Sequence, residues 1–262
     1  MARPSQIPTE YEATLVVSSE HPLEVVRELD RVRAVAGLRL EPRESLSIHD
    51  MYLDTLRREL SARHYALRVR RTELAWRITL KGPSSYGDGA VAARSELELP
   101  WSRRSLDRIV TELSLLDITL DSTGSYADNP HATMLALGLM AVQDRTVIRA
   151  VRAVVAADAR VSPCELAIDS VTYRFDEAEV MHHEVEIEAA DRFGTETIEM
   201  LVSGLLSRFG RTLRPWSHGK LVTGRAVEEL MKRSVLKEAI DVNQCLVPPA
   251  YDLIEEFLAR DR

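Results

Sequence analysis

Apolar and polar residues alternate along several short stretches of this chain and recur every three to four residues along others. Residues 10–17 alternate and end in β-branched side chains, which predicts a first strand. Pro22 opens a stretch in which Leu23, Val26, Leu29 and Val32 fall at helical spacing. Residues 22–36 therefore read as a helix closed by Gly37, with Ser18 and Ser19 as candidates for its N-cap. Strands are predicted over 48–54, 66–71, 75–81 and 94–99, punctuated by Gly82-Pro83 and Pro100. Residues 86–89 read as a loop, 105–116 as a helix, 121–130 as a polar, mobile loop and 131–140 as a short apolar helix. Strand patterning resumes at 145–156, 164–171 and 184–189. Residues 195–209 are an amphipathic helix ended by Gly210, the pattern turns helical again from 223, and 248–262 form a last helix. Strands with inserted helices, and no repeat of fixed period, predict an α+β fold on a large antiparallel sheet or barrel.

The strands carry charge in an ordered way. Residues two apart in a strand face the same side. Glu10 and Glu12 share a face, as do Glu96 and Glu98, and Glu184, Glu186 and Glu188. Arg68 and Arg70 share one, Arg77 and Lys81 another, Arg145 and Arg149 a third. A single polar strand face is ordinarily a solvated outer face, and like charges side by side repel without a counter-charge. Here the pattern recurs in several strands, and the residues between are apolar: Val69, Leu80, Leu97, Val185 and Ile187. If helices cover that apolar face, the charged face lines the lumen of a closed sheet. Carboxylates are hard ligands for Mg²⁺ or Mn²⁺, and Arg and Lys neutralise phosphate oxygens. Such a lumen suits a metal–polyphosphate complex.

Composition narrows the field. The 262 residues carry 41 acidic and 34 basic side chains, a net charge of −7, so a general nucleic-acid-binding face is not expected and any polyanion site must be local. No apolar run approaches the length of a membrane span, and the first eight residues lack a signal peptide's apolar core, so a cytoplasmic protein without membrane partners is expected. Cys164 and Cys245 are too few and too far apart for a disulfide framework or a zinc site.

Several motifs, taken in order, resemble the CYTH family of triphosphate tunnel enzymes, which includes class IV adenylyl cyclases, thiamine triphosphatases and inorganic triphosphatases. Glu10-Tyr11-Glu12-Ala13-Thr14 is similar to its E-x-E-x-K opening, with Thr14 at the lysine position. Tyr52-Leu53-Asp54-Thr55 resembles Y-x-D-T, and Ala66-Leu67-Arg68-Val69-Arg70 resembles A-L-R-x-R. Trp76 to Gly82 resembles W-x-x-T-x-K-G, and Arg94-Ser95-Glu96-Leu97-Glu98 resembles R-x-E-x-E. Glu184-Val185-Glu186 matches a late E-x-E strand, and Ser217-His218-Gly219-Lys220 resembles S-K-S-K with His218 in place of the first lysine.

The resemblance implies an eight-stranded antiparallel closed β tunnel with helices packed outside. It implies metal (Mg²⁺ or Mn²⁺) held by Glu10, Glu12, Asp169, Glu184 and Glu186, and triphosphate held by Arg68, Arg70, Lys81, Arg145, Arg149 and Lys220. Glu96 and Glu98 would hold metal indirectly or orient the bases through ion pairs, and either Arg145 or Arg149 is the equivalent of the family's base on that strand. The implied activity is metal-dependent hydrolysis of a triphosphate, with inorganic tripolyphosphate preferred; cyclisation of ATP stays within the class. The loss of lysine at Thr14 and His218 supports the alternative of a non-catalytic triphosphate- or polyphosphate-binding module. The tunnel domain is expected over 1–224. Residues 225–262 are expected as a helical appendage outside the chemistry, its apolar face packed on the tunnel or on a second subunit of a homodimer. His182-His183 read as exposed turn residues, Trp76 as packing outward, and Arg57-Arg58 and Arg103-Arg104 as solvated charges.

Overall fold

A computed structural model describes residues 7–86, 91–121, 126–127, 129–155, 164–175 and 178–260. Residues 87–89 of one expected loop and half of the loop expected at 121–130 lie outside these. Eight long strands form a closed antiparallel ring: β1 (Thr9–Val17), β3 (Leu38–Thr55), β4 (Ala66–Arg71), β5 (Trp76–Tyr86), β6 (Ala92–Pro100), β7 (Leu139–Val155), β8 (Cys164–Arg174) and β9 (Glu179–Ala189). The order around the ring is β1-β6-β5-β4-β3-β7-β8-β9, and β9 pairs back onto β1. Two short strands flank it: β2 (Ala34–Val35) pairs with β3, and β10 (Leu213–Trp216) pairs with the second half of β1. The expected tunnel is thus present. No described helix is long and apolar enough to cross a membrane.

Helices lie outside the ring: α1 (Pro22–Arg31), α2 (Glu59–Ala62), α3 (Arg103–Leu115), α4 (Pro130–Ala136), α5 (Thr195–Phe209), α6 (Lys220–Lys232) and α7 (Pro248–Arg260). The alternating strands explain why the main cores are external. Ala13, Leu15 and Val17 of β1 point outward and bury against Val25 and Leu29 of α1 and Ile198, Leu201, Val202 and Leu205 of α5. Leu67 and Val69 of β4 and Ile78 and Leu80 of β5 do the same against Leu106, Ile109 and Leu113 of α3. Trp216, α6 and α7 form a third core with Tyr251 and Ile254. Each fully buried aliphatic or aromatic side chain stabilises by about 1.5–3 kcal/mol, so the apolar strand faces are held to the helices and the charged faces are left to the interior.

Three expectations about helix ends and caps are corrected. The first helix ends at Arg31, not Ala36, because Ala34 and Val35 pair with β3; Gly37, at φ +79°, turns that hairpin instead of capping the helix. Neither Ser18 nor Ser19 is its N-cap: His21 holds that position, and Ser19 Oγ accepts a hydrogen bond from the His21 amide. The helix expected over 131–140 stops at Ala136, since Leu139 and Met140 already belong to β7. The division drawn at Gly224 falls inside α6, which runs unbroken from Lys220.

Candidate active site

The ring encloses a cavity of about 1040 Å³. Its wall includes every residue singled out above for metal or phosphate except Glu184, which meets the wall through Lys220. Three charged clusters make up the lining.

The first cluster centres on Asp50, which is fully buried on β3. Arg70 donates to it twice, Nε at 2.7 Å and Nη2 at 2.9 Å, and Arg145 Nη2 donates at 3.3 Å. Arg68 Nη1 lies 3.5 Å away. Arg145 also donates to the Tyr52 hydroxyl at 2.6 Å and to Gln143 Oε1 at 3.1 Å. Burial alone would raise the Asp50 carboxyl, but the three guanidinium groups hold it far below the usual carboxylate range. Strand register explains the grouping: Asp50 faces Arg70 across β3–β4 and Arg145 across β3–β7.

The second cluster joins β1, β5 and β6. Lys81 Nζ lies 2.6 Å from Glu96 and 3.5 Å from Glu10. Arg94 reaches Glu12 at 2.8 Å and Glu10 at 3.4 Å. Glu98 accepts from Arg77 at 2.7 Å and Arg68 at 3.2 Å. Burial pushes the Glu10 carboxyl up to about 8, although Lys81 opposes the shift, and the adjoining Glu96 goes down because Lys81 and Arg68 outweigh its burial. Glu96 and Glu98 thus lie in ion pairs with Lys81, Arg68 and Arg77.

The third cluster joins β7, β8, β9 and α6. Arg149 grips Asp169 with two bonds, 2.8 and 2.7 Å, and reaches Glu186 at 2.5 Å. Lys220 Nζ meets Asp169 at 3.0 Å, Glu186 at 2.5 Å, and Glu184. Burial pushes Glu184 up to about 7 against the pull of Lys220. Glu188 rises to about 7 because it is buried and lies near Glu186. Arg145 and Arg149 therefore both reach the lumen, in different clusters.

Among the described residues, two groups of carboxylates are close enough to share a cation. Oxygens of Glu12, Glu186 and Glu188 lie within 4.8 Å of one another, as do those of Asp169, Glu184 and Glu186. An all-carboxylate donor set fits a hard divalent ion. A smaller cavity of about 460 Å³ shares Glu10, Glu96 and Glu188 with the main one, so these acids stand between the lumen and a second opening beside Arg43 and Glu165.

The segment from Trp216 to Arg225 delivers Lys220. Tyr173 Oη donates to the Lys220 carbonyl at 2.8 Å and Gln143 Nε2 to the Leu221 carbonyl at 3.1 Å. Gly224 lets α6 sit against them: a Cβ there would lie 2.7 Å from Tyr173 Cδ1 and closer still to Gln143 Nε2. Arg225 and Leu258, from the segment expected to lie outside the chemistry, also line the main cavity.

Three lumen residues carry no assigned role in the sequence: Arg94, although it opens the R-x-E-x-E stretch, Glu188, although it shares the Glu184 and Glu186 face, and Asp50, two positions before Tyr52 on the same strand face. Strict alternation carries the signal for all three. The sequence reading misjudged His182 and His183, which are buried in β9 and not exposed in a turn. His182 stacks on Tyr173 and lies 3.4 Å from Glu184, and His183 bonds Ser170 Oγ at 2.9 Å and the Cys245 thiol at 3.5 Å. Burial holds both below the usual histidine range, His183 at about 4.

The family model for the CYTH domain matches residues 22–203. No curated protein matches the chain. Among solved structures, HpAC1 from Hippeastrum, assigned as an adenylyl cyclase and reported with a dominant triphosphatase activity, aligns with a TM-score of 0.54 at 16% identity, covering 83% of this chain and 96% of its own. A Bacillus halodurans protein assigned as an adenylate cyclase aligns at 0.45 and 17%, over 80% of this chain and 94% of its own. The S. pombe RNA triphosphatase Pct1 aligns at 0.35 and 12%, over 89% and 81%.

Proposed function

Since the chain belongs to the CYTH family, we propose that it binds a triphosphate inside its strand ring and hydrolyses the terminal phosphoanhydride with Mg²⁺ or Mn²⁺, inorganic tripolyphosphate being the substrate. The observation that carries this reading is the lumen itself: Arg68, Arg70, Lys81, Arg94, Arg145, Arg149 and Lys220 converge there with as many carboxylates in the same wall, and Asp50 and Glu184 are paired to them from behind it. An enclosed wall of paired opposite charges suits a ligand that brings both signs, such as a metal–triphosphate complex.

Arg68, Arg70 and Arg145 would orient phosphate oxygens, with forked guanidinium contacts, from the Asp50 side. Lys81, Arg149 and Lys220 would offset charge on the transferred phosphoryl group and its pyrophosphate leaving group. Glu12, Glu186 and Glu188, with Asp169 and Glu184, would hold the divalent ion, which when bound supplies Lewis-acid polarisation of phosphate oxygens. Glu10, Glu96 and Glu98 would keep Lys81, Arg94 and Arg68 aimed inward. The uncapped N-terminus of α6 at the cavity wall adds amide donors on the same side.

Thr14 favours a second reading. It lines the cavity opposite Glu186, with a neutral hydroxyl where the family motif has lysine. A protein that binds triphosphate without turning it over fits that change. Phosphate release from tripolyphosphate, ATP and thiamine triphosphate, each with Mg²⁺ and with Mn²⁺, separates the readings. Release from tripolyphosphate that stops in excess EDTA is the expected outcome. A rate unchanged in chelator refutes the metal role, tight binding without release supports the binding module, and cyclic product from ATP supports a cyclase.

A further inference from the structure

Lys220 makes the contacts that a bound cation would make. Its ammonium touches one oxygen each of Asp169, Glu184 and Glu186, the same three residues whose oxygens are grouped closely enough to share a metal ion. The side chain is 7% exposed. Its backbone is fixed by the Tyr173 and Gln143 hydrogen bonds to the first turn of α6. The four-carbon stem beyond that anchor is flexible, and Lys220 also lines the main cavity. A compact charge on a flexible arm is thus held in a carboxylate nest beside open space.

We propose that Lys220 is a tethered counter-ion. In the metal-free protein its ammonium holds Asp169, Glu184 and Glu186 in a cation-binding arrangement. A divalent ion entering there displaces it toward the cavity, where the arriving phosphate takes its charge. The role rests on the functional reading above for its second half only, since competition between the ammonium and a divalent ion needs no triphosphate. With all three carboxylates ionised, the nest facing Lys220 and Arg149 carries one net negative charge. Without Lys220 it carries two and matches a divalent ion.

The test is Mn²⁺ binding to triphosphate-free protein, read by loss of the free-ion electron paramagnetic resonance signal, in wild type, Lys220→Met and Lys220→Arg. Lys220→Met is expected to bind Mn²⁺ at least about tenfold more tightly than wild type, and to gain more thermal stability from it. Lys220→Arg, which keeps the positive charge, should stay near wild type. Equal or weaker Mn²⁺ binding by folded Lys220→Met overturns the proposal. If Lys220→Met does not fold, the wild-type protein decides. The ¹⁵N resonance of the Lys220 ammonium should shift when Mg²⁺ is added without triphosphate, and an unmoved resonance at saturating Mg²⁺ overturns the proposal. A wild type that shows this competition yet neither binds nor hydrolyses any triphosphate would refute the functional reading and leave the counter-ion role standing.

Discussion

Asp50→Asn is the most informative single change. The Asp50 carboxylate is fully buried and compensates Arg70, Arg145 and Arg68 at once. With asparagine there, Arg68 retains Glu98 at 3.2 Å, and Arg145 retains the neutral Tyr52 and Gln143. Arg70 retains no carboxylate within ion-pairing distance among the described residues. Removing one partner of a buried ion pair costs about 3–5 kcal/mol, mostly as the penalty on the charges left behind. For a chain of this size each kcal/mol moves the midpoint by about 2–4 °C, so a fall of about 6–20 °C is expected. The Asp50 carboxyl lies below its unfolded value, so its contribution is present above that value and lost only as pH falls through it. The wild-type–variant gap should therefore stay constant from about pH 6 to 9. Thermal unfolding by circular dichroism across that range measures it. Tripolyphosphate with Mg²⁺ should stabilise the variant more than the wild type, because it meets uncompensated arginines. A variant within about 2 °C of wild type would refute the view that Asp50 is the counter-charge holding this wall together.

Thr14→Lys should raise tripolyphosphate hydrolysis by about one decade, the worth of one charge-assisted contact; an unchanged steady-state rate would mean that Lys220, already on the facing Glu186, supplies that charge. Gly224→Ala forces a methyl group onto Tyr173 and Gln143, so a loss of about 1–3 kcal/mol in stability and a lower kcat are expected from denaturant unfolding and kinetics on one preparation. Glu10, Glu184 and Glu188 are raised to about 8, 7 and 7. The folded metal-free protein therefore binds more protons than the unfolded chain from the ordinary carboxylate range up to those values, and its stability falls as pH rises through them. Scanning calorimetry in EDTA should show the midpoint dropping from about pH 6 to 9, and saturating Mg²⁺ should flatten the drop; a midpoint that rises over that range with EDTA contradicts these assignments.

Much of the site was legible because strand alternation writes it into the chain. Arg68 and Arg70, Glu96 and Glu98, and Glu184 and Glu186 are each two apart with an apolar residue between, which sets one face charged whatever the strand pairs with. Helix α5 was bounded at Thr195 and Phe209 in both readings, since Ile198, Leu201, Val202 and Leu205 repeat on one face and Gly210 stops it. Residues 34–35 read as helix in the sequence because Gly37 looks alike after a helix or inside a hairpin turn, and only pairing with β3 distinguishes them. His182 and His183 looked like polar turn residues; the β8–β9 register buries them against Tyr173 and Cys245.

Local alternation sets which side chains share a face, and the motifs in order point to a closed charged tunnel. Which charges meet depends on strand pairing and helix docking. Glu12 and Glu188 come together because β1 closes the ring on β9, more than 170 positions away in the chain, and Lys220 reaches Asp169 and Glu186 only because α6 docks on Gln143 and Tyr173. Alternation is a local property of one strand, with a repeat of two. Ring closure, register and helix docking are sums over contacts between distant segments, and no local pattern encodes which opposite charges they will bring within bonding distance.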